Sequence, residues 1–147
     1  MTFMTFRLDQ FGLPLFRADS SRYDALGYWL ISDVSIHKLV CLDALAMLAD
    51  VSAGRDPFEP WSSDNYTVTF TPTGVSIRSN WSDESGEYGV DEVRQAVEEF
   101  WRFLVAQPDK PHMVREYHPE LPDWQASLLR WEEKWSRRHP SRGTLFD

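Results

Sequence analysis

Residues 65–104 read NYTVTFTPTGVSIRSNWSDESGEYGVDEVRQAVEEFWRFL, and this stretch decides the fold. From Asn65 to Thr71 the large residues Tyr66, Val68 and Phe70 alternate with threonines, the period of a half-buried strand made of β-formers. Pro72, Thr73 and Gly74 then predict a turn, with proline fixing one φ and glycine accepting a positive one. Val75, Ile77 and Trp81 resume the period of two, so a hairpin is expected. Farther on, Asp91 is the expected N-cap of a helix over about 91–106, and Glu92 adds negative charge at its positive end. Val93, Val97, Phe100, Trp101 and Leu104 form one apolar stripe along that helix.

Between hairpin and helix, Asp83, Glu84 and Glu87 crowd an acidic loop that also carries Trp81 and Tyr88. Packing gives no reason for three carboxylates there. With Asp91 and Glu92 they make the candidate partner-binding surface: Trp81, Asp83, Glu84, Glu87, Tyr88, Asp91 and Glu92. The competing reading is a solvated loop followed by ordinary helix N-terminal acids.

Outward from this stretch, Met4, Phe6 and Leu8 alternate, Asp9-Gln10-Phe11-Gly12 reads as a turn, and Leu13–Arg17 returns as a strand that Pro14 confines to an edge. The run Ala25–Ser32 reads either as a short buried strand or as the lead-in to a helix. A largely buried helix is expected over about 34–52, apolar round most of its circumference and ended near Gly54. Prolines 57 and 60 argue for a loop. Prolines 108, 111, 119 and 122 argue for an extended arm, after which Trp124, Leu128, Trp131 and Trp135 draw a narrow seam on a last helix at about 122–138. Its basic residues Arg130, Lys134, Arg137 and Arg138 are expected to lie over acidic ground. The fold class is therefore α+β, with an antiparallel sheet of two hairpins, plus an extra strand if 25–32 is extended, packed by helices. Residues 1–106 form the core domain, and residues 107–147 wrap the same domain as arm and helix.

The chain of 147 residues carries 15 basic and 23 acidic side chains, a net charge of −8. Residues 1–99 hold 16 acids and 7 bases, whereas residues 100–147 hold 7 and 8. An acidic body argues against nonspecific nucleic-acid binding and is compatible with a basic protein partner. The lone Cys41 excludes an internal disulfide and, inside an apolar helix, reads as a buried thiol. No secretory signal opens the chain and no apolar run is long enough for a bilayer, so the expected location is cytoplasmic, without membrane contact. The repeated MTF leaves Met1 and Met4 as alternative starts.

No phosphate loop, nucleophile elbow or zinc pattern is present. His112, His118 and Glu116 lack metal-ligand spacing, and one cysteine cannot complete a structural site. No cofactor or metal is expected, and the chain reads as a non-enzyme. The rival enzyme would need a dispersed site, such as His37 beside acids in a deep pocket. A second rival is an oligomeric adaptor using the tryptophan seam. Oligomeric state is left between monomer and weak homodimer.

The early turn FRLDQFGLPLF, the GYW near residue 28, NYTVTFTPTGVSIRSNW and the acidic entry into DEVRQAVEEFWRFL together resemble the layout of the YacL-like group of small bacterial proteins. They also resemble the immunity proteins of contact-dependent growth inhibition and related polymorphic toxin systems. The resemblance covers roughly residues 3–105 and is one of layout. It implies an α+β domain that binds one cognate toxin, with a nuclease-type toxin domain as the expected class, and blocks it without turnover.

Overall fold

The computed structural model describes residues 2–110 and 115–146, so Met1 and His112 lie outside the described residues. In chain order the elements are β1 (Met4–Leu8), β2 (Pro14–Ala18), a 3-10 turn (Ser21–Tyr23), α1 (Asp24–Trp29) and a π-turn (Leu30–Val34). Then follow α2 (Lys38–Ser52), β3 (Tyr66–Thr71), β4 (Gly74–Ser79), β5 (Ser85–Tyr88), α3 (Val90–Ala106) and α4 (Asp123–Trp135). The class is α+β, with two antiparallel sheets of order β1-β2 and β3-β4-β5.

Alternation sets the faces of the larger sheet. Tyr66, Val68, Phe70, Val75, Ile77 and Tyr88 are buried, while Thr67, Thr69, Arg78, Ser85 and Glu87 face outward. The inner face packs on α1, α2 and α3. The hairpin β1-β2 closes another side, with Phe6 edge-on to Phe100 at 4.8 Å and Phe16 edge-on to Tyr28 at 5.0 Å. Phe16 lies directly over Gly27, where a Cβ would meet its ring at 2.4 Å, so only glycine admits this approach. The turn before β2 is held by the Asp9 carboxylate, which accepts the N–H groups of Phe11 and Leu13 at 2.8 and 3.0 Å.

α2 is the centre of the core. Cys41, Leu42, Leu45, Met47, Leu48 and Val51 are all at most 2% exposed. α3 lies on one side of α2 and α4 on another. The stripe Val93, Val97, Phe100, Trp101 and Leu104 is wholly buried. The seam on α4 turns inward too: Leu128 and Trp131 are 2% and 1% exposed, and the Trp131 indole N–H donates to Asp43 at 2.8 Å. Phe58, from the proline-containing loop, stands edge-on to Trp131 and Trp135. Of the basic residues on this side, Arg137 grips the buried Asp50 of α2 with both guanidinium nitrogens, at 2.7 and 3.3 Å.

Several expectations are corrected. Of the two readings of the apolar run at 25–32, the helical one holds and the strand does not: the run forms α1 and the π-turn. Its continuous apolarity carries no period, which is why the two readings could not be separated. The long helix begins at Lys38 instead of near 34 because Ser35, at φ 50, breaks the chain direction there. Asp33 is drawn away to β3, where its carboxylate accepts from Ser63 Oγ, the N–H groups of Asn65 and Tyr66, and the Asn65 side-chain amide. Gly74 is not among the glycines of positive φ; it already belongs to β4, paired with Thr71. The segment expected to be an acidic loop contains a third strand, β5, paired along β4 from Val75↔Tyr88 to Arg78↔Ser85. The cap of α3 is Gly89 and not Asp91. α4 ends at Trp135, sooner than the expected 138, because Ser136 turns left-handed.

Candidate functional site

The seven candidate residues fall into two groups once β5 is in place. β5 turns Gly86 and Tyr88 inward and Ser85 and Glu87 outward. Tyr88 is therefore core: it is 4% exposed, and its hydroxyl donates to the Arg22 carbonyl at 2.8 Å. That hydroxyl crosses the position a Cβ on residue 86 would occupy, at 2.1 Å, so β5 needs a glycine there.

Glu92 is likewise engaged within the molecule. Its carboxylate takes both terminal nitrogens of Arg22 at 2.7 and 3.0 Å, the Tyr23 hydroxyl at 3.0 Å and the Gly89 N–H at 2.9 Å. The last bond is the return half of a capping box. The Arg22 guanidinium in turn lies 5.0 Å from the Tyr23 ring centroid and 5.4 Å from that of Tyr88. These donors, Arg22 above all, hold the Glu92 carboxyl down to about 2. Its contribution to stability is accordingly present above its ordinary pKa, near 4.5, and is lost as the pH falls towards 2. Replacing Glu92 by alanine is expected to cost about 1 kcal/mol, since the pair is partly solvated but also removes a cap; urea unfolding at pH 7 measures it. A variant as stable as the parent would remove the clamp from the account of the fold.

Glu84 is half engaged, accepting the Tyr66 hydroxyl at 2.6 Å. Asp91 is exposed, and among the described residues its ion-pair partner is Arg94, one turn on. Asp83 and Glu87 are exposed, and among the described residues neither carboxylate has an ion-pair partner.

Trp81 lies beyond the end of β4 and not in it, and it is 77% exposed. It is held there by a dense local network. The indole N–H donates to Asn65 Oδ1 at 3.2 Å, and the Asn65 amide donates to Asp33 at 2.8 Å. Ser79 Oγ accepts the N–H groups of Trp81 and Ser82, each at 3.1 Å. Asn80 donates to the Asp64 carbonyl and accepts from Thr67. Exposing an indole to water is unfavourable, yet this tip fixes one by its edge with both faces unhindered by that bond. Asp64 is exposed beside the anchoring Asn65, Asp83 is exposed two positions after Trp81, and Glu84 follows. Arg78 is the nearby base, outward on β4 between Thr67 and Ser85.

A second exposed group, missed from sequence, crowns the β1-β2 hairpin: Phe11, Leu13 and Leu8 are 78%, 48% and 37% exposed. Only the alternation of the hairpin and its apex position could have signalled it.

For the rival readings, His37 is exposed on the surface just before α2, and its side chain does not cap that helix. A cleft of about 790 Å³ is lined by Arg115, Glu116, Tyr117, Arg130, Glu133 and Lys134, without a histidine among those residues. His118 bonds Glu120 at 3.1 Å. Among the described residues no three histidine, cysteine or acidic side chains are grouped to hold a metal ion. Cys41 is fully buried, and burial pushes its thiol well above the ordinary range, away from nucleophilic use. The centre of the tryptophan seam is occupied by α2, Phe58 and the C-terminal residues, leaving Trp124 and Trp135 only half-buried. No helix among the described residues is long and apolar enough to cross a membrane.

Compared with protein-family models, curated proteins and solved structures, the chain matches none of them.

Proposed function

We propose that this protein is a non-catalytic, immunity-type inhibitor that captures a cationic protein, a nuclease-type toxin domain, on the surface formed by Trp81, Asp83, Glu87 and Asp91. One observation carries the reading: a tryptophan held 77% exposed by its own hydrogen-bonded tip, two residues before an exposed Asp83 that has no ion-pair partner among the described residues, on a chain of net charge −8. An anchored aromatic side chain supplies contact area at small entropic cost, which is the character of an interface hot spot. The carboxylates complement a phosphate-binding cleft, and they raise the rate of encounter with it. Glu84 and Glu92 are left out of that surface, because their carboxylates are bonded to Tyr66 and Arg22. The layout resemblance to polymorphic-toxin immunity proteins points the same way.

The test uses a variant that spares the structural groups: Trp81→Ala with Asp83→Lys and Glu87→Lys. The variant should keep the parent's far-ultraviolet circular dichroism and melting temperature, since all three side chains are solvated. The parent chain, co-expressed with the product of the adjacent reading frame, is expected to suppress that product's toxicity and to form a stoichiometric complex. The variant should bind at least tenfold more weakly, mostly through slower association at low salt. Equal affinity of parent and variant would put the interface elsewhere, and Phe11→Ser on the hairpin apex would then be the next substitution to measure.

A further inference from the structure

We propose that the Trp81 tip is a guanidinium site: an arginine of the cationic partner stacks on the indole face and takes its charge complement from Asp83 and Asp64. The proposal rests on the tip being the partner surface and goes on to name the side chain it selects.

The edge of the Trp81 ring is committed to Asn65, so a partner meets the ring face and not its N–H. An indole face is the strongest of the aromatic cation binders. Lysine and arginine both satisfy that attraction, but only a planar guanidinium can stack and donate in-plane to carboxylates at the ring's margin. Asp64 adjoins Asn65, which holds the indole edge, Asp83 lies two residues after Trp81, and both are exposed. Each is without an ion-pair partner among the described residues.

The molecule already contains the same arrangement with the guanidinium supplied from within. Arg22 lies against the rings of Tyr23 and Tyr88, at 5.0 and 5.4 Å, while its nitrogens clasp Glu92 in two parallel bonds. Aromatic face plus carboxylate is thus a combination this fold uses to hold arginine. At the tip the aromatic and the carboxylates are present and the guanidinium is not. Among the described residues no cation lies over the Trp81 ring, Arg78 included, which stands outward on β4 opposite Thr67 and Ser85.

The probes are two capped peptides of equal charge, hexa-arginine and hexa-lysine, titrated at low salt into the 15N-labelled full chain. The Trp81 indole N–H resonance, assigned with Trp81→Phe, reports binding at the tip. The expected result is that both peptides move this resonance and that hexa-arginine binds roughly three- to tenfold more tightly. Trp81→Leu, followed on the backbone amides of Asn80 and Ser82 because it lacks the indole, should abolish the preference while retaining weak charge-driven binding, and Asp64→Asn with Asp83→Asn should weaken both peptides. Equal affinities at the tip would overturn the guanidinium site and leave the acidic docking surface standing. An arginine preference that survives Trp81→Leu would also overturn it, by locating the selectivity elsewhere. An unmoved Trp81 resonance with either peptide would overturn the docking surface together with the guanidinium site.

Discussion

Replacing Trp131 by alanine is expected to destabilise the protein by about 4 kcal/mol, the loss typical of a fully buried large aromatic. For a chain of this size that lowers the melting temperature by roughly 10 °C. Trp131 is 1% exposed and stands where four parts of the molecule meet. Its indole donates to Asp43 of α2 at 2.8 Å, Phe58 stands edge-on to it, and His139 lies 4.4 Å from it. Truncation leaves both a cavity and a partly buried carboxylate without its donor, so the cost adds a polar term to an apolar one. Burial already raises the Asp43 carboxyl above its ordinary value. Removing the indole donor raises it further, and the deficit should therefore grow with rising pH as that carboxyl is forced to ionise. Trp81→Ala is the contrast: an equal change in chemistry at a solvated side chain should shift stability by no more than about 0.5 kcal/mol. If the two tryptophans cost the same in urea unfolding, the division of this chain into a structural seam and a displayed ring is wrong.

That division was only partly visible in the sequence, and the reasons are physical. The 65–79 hairpin and the stripe of α3 were legible because their periodicities are local and strong: Tyr66, Val68 and Phe70 repeat every second residue, and Val93 to Leu104 follow one helical face. β5 was hidden because four residues, one a glycine and one a glutamate, carry almost no strand preference of their own; pairing with β4 makes the strand. Once β5 exists, the alternation of Ser85, Gly86, Glu87 and Tyr88 sorts them, which is why Tyr88 moved from the proposed surface into the core. Glu92 was drawn inward by Arg22, a partner 70 residues away that leaves no local mark in the sequence. Asp91 and Glu92 are adjacent acids at a helix start, and only the fold decides that the second closes the cap while the first remains in solvent. The seam on α4 was readable as a stripe, but its destination against α2 was a matter of tertiary packing. Trp81 could be recognised as aromatic residue among acids; its edge-on anchoring by Asn65 could not.

Lowering the pH from 7 to 4 is expected to cost about 3 kcal/mol through a single buried side chain, His139. The ring is fully buried, against Trp131 and Phe146, and both nitrogens are used. Nδ1 accepts the Ser141 N–H at 3.0 Å, so it carries no proton, and Nε2–H donates to the Leu42 carbonyl at 2.9 Å. This neutral tautomer stitches the segment after α4 to the middle of α2. The charged groups around it are Glu132, whose carboxylate accepts the His139 backbone N–H, and Arg142 and Arg137, which disfavour a further positive charge. Burial dominates and lowers the imidazole to about 4, against an ordinary 6.5. The unfolded chain therefore binds a proton at this position below about 6.5 while the folded one does not until about 4, and stability must fall as the pH drops through that interval. Glu92 acts in a separate window, between its ordinary 4.5 and about 2, so the loss between pH 6.5 and 5 is free of it. Urea midpoints at successive pH values should show that loss in the parent. In His139→Asn, whose carbonyl can still accept from Ser141, the chain should be less stable at pH 7 but flatter between pH 6.5 and 5. The same slope in both proteins would mean that protonation enters elsewhere and that His139 is not what ties the C-terminal segment to α2 in a pH-dependent way.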